Sequence, residues 1–515
     1  MRRDLKIRGV GRRRAGPDIV IGPLLHARGA QAGGVVLPRW RLSATALLAG
    51  EREPPDLRVE GVGLPVPPRF LHDYGPVLKG KGPLRLWRWD FAVPRGLQDS
   101  RSAYGFDGDE RRWYLDVPGT AIPPRIAYTA CGGCEDESQI AAAGLSRNAR
   151  WGHLLGRHRA SPYHLLLAGG DQVYADGLWE GVPELADAAL LSLSRRAALD
   201  APPGLDASLD RWFLEVYRHA WTQPETAAVL ASVPGLRMWD DHDILDGWGS
   251  HPEPVLDSPL YRAIYAAARR AFRLFQIGMP EDDPAETLLA DEPPSFTQGL
   301  VVNGVGILAL DLRSERRPTR VMSSRSLDAL PGWLERFRGC RHLLLMSSVP
   351  MIFPSFSLVE RLLNWIPGRQ AMEDDLRDQW RSPTHREEWE RVLRLLAGFM
   401  RESRCRITVL SGEVHLGTVG VIRGLDLELW QLVSSGIVHP APTGLPLDML
   451  ERAARRTETL FDGLTLEMPG FPETGRKLLG TRNWLSLTAT NDGGIEAEWH
   501  AESGPTPLRL SIPGL

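Results

Sequence analysis

Asp240, Asp241, His242 and Asp243 stand in a row in "WDDHDILDGW", with Asp246 three residues on and Trp239 and Trp248 at either end. Carboxylates this close repel one another unless cations lie between them. Two other stretches have the same character. "GGDQVYAD" (169–176) offers Asp171, Tyr174 and Asp176 behind paired glycines, and "SGEVHLG" (411–417) offers Glu413 and His415. Residues two apart on an extended segment share a face, so Glu413 and His415 point the same way. Each stretch alone has a plain structural reading: an Asx turn or helix cap for Asp171, a solvated acidic turn for 239–243, a core histidine for His415. Together with Cys131 they supply carboxylates, imidazoles, a phenol and a thiol. That mixture suits a dinuclear site with one transition metal among hard oxygen donors.

Such a site needs elements that bring the three stretches to one place. Short apolar runs supply them. "RIAYTAC" runs into Cys131, "YHLLLAGG" into Asp171 and "GLRMW" into Asp240; "VGILAL" runs into Asp311, "HLLLM" into Ser347 and "RITVLSG" into Glu413. Strands lying side by side would gather these terminal residues on one rim, where α/β sheets bind their ligands. Amphipathic stretches between the runs read as covering helices. "SLDRWFLEVYRHAW" spaces Trp212, Val216 and Ala220 beside Phe213, Tyr217 and Trp221. "THREEWERVLRLLAGFM" opens on a capping box of Thr384 and Glu387, then places Trp389, Val392, Leu396 and Phe399 on one face. Residues 15–120 instead alternate in short stretches broken by turn formers, which predicts a β-rich N-terminal domain, with "AIPPR" (121–125) as linker.

The ordered set Cys131, "GDQVY", "WDDHD", "DLRSER", "SSVP" and "SGEVHLG", with "QLVSSGIVHP" and the final "RNWLSLTA", resembles the PhoD-like (alkaline phosphatase D) metallophosphatases of the calcineurin-like phosphoesterase superfamily. The similarity spans residue 122 to the C-terminus. It implies an α/β fold: a two-sheet metallophosphoesterase sandwich flanked by helices (121–515), preceded by an all-β domain (15–120) and a basic tail (1–14). It also implies ligands: Asp171 bridging two metals, Tyr174 and the Cys131 thiolate on the more oxidised one, Asp241 on a metal, and Glu413 and His415 on one metal each. With Asp240 at its strand end, these form the expected metal set. His242 would face the phosphate or the leaving group. The chain departs from the pattern in having Glu413 for the usual Asp, and Ser347 and Ser348 where the superfamily has a histidine. The expected cofactors are therefore Fe3+ with Ca2+, with Mn2+ or Zn2+ as alternatives. Arg313 of "DLRSER" has two readings, a phosphate-binding guanidinium or half of a structural Asp–Arg pair. The flanking tryptophans would wall the pocket.

The expected activity is hydrolysis of phosphomono- or phosphodiesters by a metal-activated hydroxide. The alternative is a metal-stabilised binding protein without turnover. A net charge of −3 argues against a nucleic-acid partner and leaves a small or polymeric phosphoester as the expected one. No run reaches the roughly 18 apolar residues of a membrane span. "RRDLK" lacks the apolar segment of a twin-arginine signal, and the four cysteines make no disulfide framework, so a cytoplasmic protein is expected. "CGGC" (131–134) has no second pair to make a zinc module. "GPVLKGKG" lacks the Ser/Thr of a P-loop, and "GVGILA" lies inside a strand rather than at a strand–helix turn.

Overall fold

The computed structural model describes residues 16–31, 37–280, 283–290, 295–354, 380–424, 427–504 and 506–515. The basic stretch 1–14 lies outside them.

All six apolar runs form strands, and they divide between two sheets. In the first, Arg125–Thr129, Leu165–Gly169 and Gly235–Met238 are adjacent and parallel. In the second, Val305–Ala309, His342–Met346 and Arg406–Ser411 are adjacent and parallel, followed by Leu427–Ser434. Parallel pairing puts the carboxyl ends of each set on one edge. Both faces of these strands are covered, so they read as continuous apolar runs such as "LLLAG" and "HLLLM", buried throughout.

Three layers of core follow. Between the sheets, Tyr128, Leu167 and Met238 pack in one cluster with Ile307, Leu344 and Leu410. Outside the first sheet, Leu166 joins Phe213 and Tyr217 of the helix Leu205–Trp221 and Ile264 of the helix Pro259–Ala271. Outside the second, Leu345 and Val409 join Leu330 of Ser324–Glu335 and Trp389, Val392 and Leu396 of Arg386–Ser403. This is the expected sandwich with helices outside.

The N-terminal all-β region is present, and its long strands extend the first sheet. Asp18–Gln31 pairs in parallel with Gly235–Met238 through His26 and Gly235, then antiparallel with Arg39–Ala49. A smaller sheet holds Leu57–Val59, Ser100–Phe106 and Trp113–Val117. The capping box does not form. The helix begins at Arg386, with His385 at its N-cap and no side-chain cap bond, because Ser382 and His385 make their own turn. Glu388 instead accepts from the N–H groups of Val321 and Met322 at 2.9 and 2.7 Å.

His342 opens its strand 1% exposed, its ring bonded to the Gly493 carbonyl and the Thr408 hydroxyl, both at 2.9 Å. Burial pushes its pKa down to about 4. The folded chain therefore refuses a proton that the unfolded chain binds near pH 6.5. Stability is complete above that pH and is lost as pH falls towards 4, by roughly 3 kcal/mol from this ring. Urea unfolding across that window should show the loss, and His342→Gln should lose less than the wild type.

Candidate functional site

The two sets of strand ends meet at glycines. A Cβ on Gly412 would lie 2.5 Å from Ala130 Cβ, and one on Gly170 would sit 3.0 Å from Asp240 Cβ and 3.1 Å from Ser348 Cβ. Gly170 also has φ +109°, which L side chains rarely adopt. Gly170 of "GGD" and Gly412 thus allow strand ends of both sheets to touch.

Beyond the glycines the backbone is strained where chemistry is expected. Cys131, Asp171, Glu413 and His415 have φ of 54°, 51°, 63° and 52°. Only three other non-glycine residues among those described have positive φ: Asn303, Arg404 and Asp462. Left-handed backbone at a side-chain-bearing residue costs about 1–3 kcal/mol and persists where its surroundings impose it. Here it ends each strand abruptly and turns four side chains onto one rim.

One group on that rim is Cys131, Asp171 and His415, whose ligand atoms lie within 4.8 Å of one another. Cys131 Sγ is 3.5 Å from Asp171 Oδ2 and 3.0 Å from the Ser435 hydroxyl. Tyr174 joins them, its hydroxyl 3.3 Å from His415 Nε2. A second group shares Asp171 with Asp241 and His242. Asp240 and Glu413 complete the expected set, and both face Arg313. The seven candidate metal ligands and His242 therefore lie close together at the strand ends.

The electrostatics suit cations. Burial, then the Asp171 charge, raise the Cys131 thiol well above the cysteine range. Burial, then Asp240, raise Asp171 likewise. Burial, then Cys131, raise Tyr174. Burial, then His439, push His415 well down, leaving a neutral imidazole with a lone pair to give. Asp171 Oδ1 and Asp240 Oδ2 are buried and accept no hydrogen bond among the described residues. A positive ion is what would hold the thiol and carboxylates ionised, so the donors Cys131, Asp171, Tyr174 and His415 fit one.

His242 is held at both nitrogens, Nδ1 by Asp176 at 2.9 Å and Nε2 by Glu135 at 3.3 Å. Burial alone would lower its pKa, but Asp176, Asp241 and Asp171 raise it well above the histidine range. Its ring stacks on Tyr174 with centroids 4.3 Å apart.

The sequence reading missed several members of this cluster. Glu135 also binds His439 at 3.0 Å, and His439 stacks on His415 at 3.5 Å. Burial would raise Glu135, but His439 and His242 hold it well below the carboxylate range. Burial would lower His439, but Cys134 and Glu135 carry it to about 9. The strand-end rule, applied to Leu427–Ser434, would have found Ser435. Asp243 belongs to the scaffold. It accepts from the N–H groups of Gln172, Val173 and Asp240 and from Gln276, which a π-helical turn at Phe272–Ile277 delivers to it. The tryptophans do not wall the pocket. Trp239 stacks on Phe272 and Trp248 on Tyr265 in the outer core, because their rings point away from the rim.

Known proteins resemble this chain in sequence or in fold. An uncharacterized protein of Saccharomyces cerevisiae is 25% identical over 403 residues, which is 66% of this chain. The match spans 56% of that relative's own length. The solved structure of PhoD superposes with a TM-score of 0.57 at 12% identity, over 98% of this chain and 90% of that one. Residues 135–370 match the PhoD related phosphatase family, and the chain as a whole has the PhoD fold.

Proposed function

We propose that the chain is a metal-dependent hydrolase of phosphoester bonds. The observation that carries the reading is the rim itself, where a thiol, a carboxylate and an imidazole on left-handed backbone converge from both sheets beside a phenol. Cys131, Asp171, Tyr174 and His415 would hold a cation, with iron the natural choice for a phenol and a thiol together. A cation bound there would acidify a water molecule and spread the charge of the phosphoryl oxygens.

The protein's own groups do the rest. Asp171 orients the attacking water from the centre of both ligand groups. His242, kept charged by Asp176, hydrogen-bonds a phosphoryl oxygen or gives its proton to the leaving alkoxide. Its Nε2 is the nitrogen to present, since the bond there is the longer one and Glu135 is half-exposed. Glu135 and His439 fix the ring stack around Tyr174. The substrate is a small or polymeric phosphoester, and a net charge of −3 disfavours nucleic acid. No described helix is long and apolar enough to cross a membrane.

Chelator-stripped protein, given chromogenic phosphomonoesters and phosphodiesters with iron, calcium, manganese and zinc added back singly and in pairs, tests the reading. Turnover is expected only with metal, and iron should bring a tyrosinate absorption band that Tyr174→Phe removes. Folded, metal-loaded protein that cleaves neither ester class would instead make this a metal-stabilised binding protein.

A further inference from the structure

The remaining acidic donors, Asp240, Asp241 and Glu413, share a cationic partner, although Asp241 also stands with Asp171 and His242 in the second ligand group. The Arg313 guanidinium stands among them. Its side chain is 0% exposed; Nε bonds to Asp240 Oδ1, and a terminal nitrogen lies 3.3 Å from Asp241 Oδ1 and 3.7 Å from Glu413 Oε1. Its other terminal nitrogen donates to the Trp248 carbonyl at 3.1 Å. The backbone holds it there too, because the Arg313 N–H donates to Asp311 Oδ1, which also accepts from Trp239 and Ser314. Ser348 donates to the same Asp240 oxygen at 2.8 Å. Of the two sequence readings of Arg313, these contacts agree with the Asp–Arg pair: the guanidinium is fully buried, and its side-chain partners are the expected metal ligands.

We infer that Arg313 is a resident cation, replacing the second metal of the expected dinuclear pair, so that the chain binds a single metal ion at Cys131, Asp171, Tyr174 and His415. A planar guanidinium with a fixed fork of donors is suited to several carboxylates at once and never loses its proton. A second metal ion would have to expel it, breaking the bonds to Asp240 and to Trp248 and stranding a buried charge. Glu413 fits this assignment. Its extra methylene, relative to the family's aspartate, extends a carboxylate towards a partner that is larger than a metal ion.

The inference rests on the proposed function only for which site is meant, and its test is read without turnover. Full-length protein is loaded with iron and manganese, or iron and calcium, freed of loose metal by gel filtration and assayed for elemental content. A single tightly held metal ion per chain is expected. Arg313→Met should take up a second, seen also as a new calcium or manganese isotherm in calorimetry, and Arg313→Lys, which keeps the charge, should not. Two metal ions in the wild type, or one in a folded Arg313→Met, would overturn the assignment. Should Arg313→Met fail to fold, the wild-type count alone decides. A count of one with no phosphoesterase activity would sink the proposed function and leave this inference standing. A count of two in an active enzyme would do the reverse, and no bound metal would end both.

Discussion

Asp171→Asn is expected to lower kcat/KM for phosphoester hydrolysis by ~1,000-fold or more, with loss of most bound metal, while the metal-free protein unfolds at or above the wild-type temperature. The two halves of that result have one cause. Asp171 is buried at the centre of the rim, raised by burial and by Asp240, with Oδ1 accepting no hydrogen bond among the described residues. An ionised carboxylate there is a liability to the empty fold and an asset only with a cation beside it. Asparagine keeps the shape and removes the charge. It therefore relieves repulsion among Asp171, Asp240 and Asp241 and weakens the site that needs them. Melting curves with and without metal, beside the kinetics, measure both. If the metal-free variant were much less stable than the wild type, Asp171 would be a structural carboxylate and the electrostatic account of the rim would be wrong.

The rim was legible in the sequence because burial on both faces forces strands such as "HLLLM" into unbroken apolar runs, and the first polar residue after each run marks an edge. That rule found Cys131, Asp171, Asp240 and Glu413, and the structure puts all four together. What it could not find depends on three dimensions. The left-handed φ of Cys131, Asp171, Glu413 and His415 is imposed by packing and has no local residue signature, since none of them is glycine. Glu135 and His439 are 304 residues apart and meet only through the fold. Arg313 of "DLRSER" stands out in the sequence, but nothing local shows that its guanidinium reaches across to carboxylates on two other strand ends. The first sheet's continuation into Asp18–Gln31 was hidden for a different reason. A parallel edge contact through His26 and Gly235 leaves no trace in the alternation of residues 15–120, which reads as a sheet of its own.

Asp243→Ala tests the opposite kind of acid in the same "WDDHD" run. Asp243 gathers four donors: the N–H groups of Gln172 at 3.3 Å, Val173 at 3.2 Å and Asp240 at 3.0 Å, and Gln276 Nε2 at 2.8 Å. It thereby ties the loop after Leu165–Gly169 to the loop after Gly235–Met238. Burial raises its pKa, to about 7, even though its hydrogen bonds pull the other way. Removing it leaves buried N–H groups unmatched, at a cost of about 3 kcal/mol or more. It also frees Asp171 and Asp240 from their fixed spacing, so metal affinity and turnover should fall with stability. Asp243→Asn keeps one acceptor oxygen and should recover part of both. The contrast with Asp171 is the point: one aspartate of the rim trades stability for binding, while the other supplies the stability that makes the trade possible. If Asp243→Ala unfolded at the wild-type temperature and kept its metal, the two loops would be held by packing alone, and the carboxylate would be free to be a ligand after all.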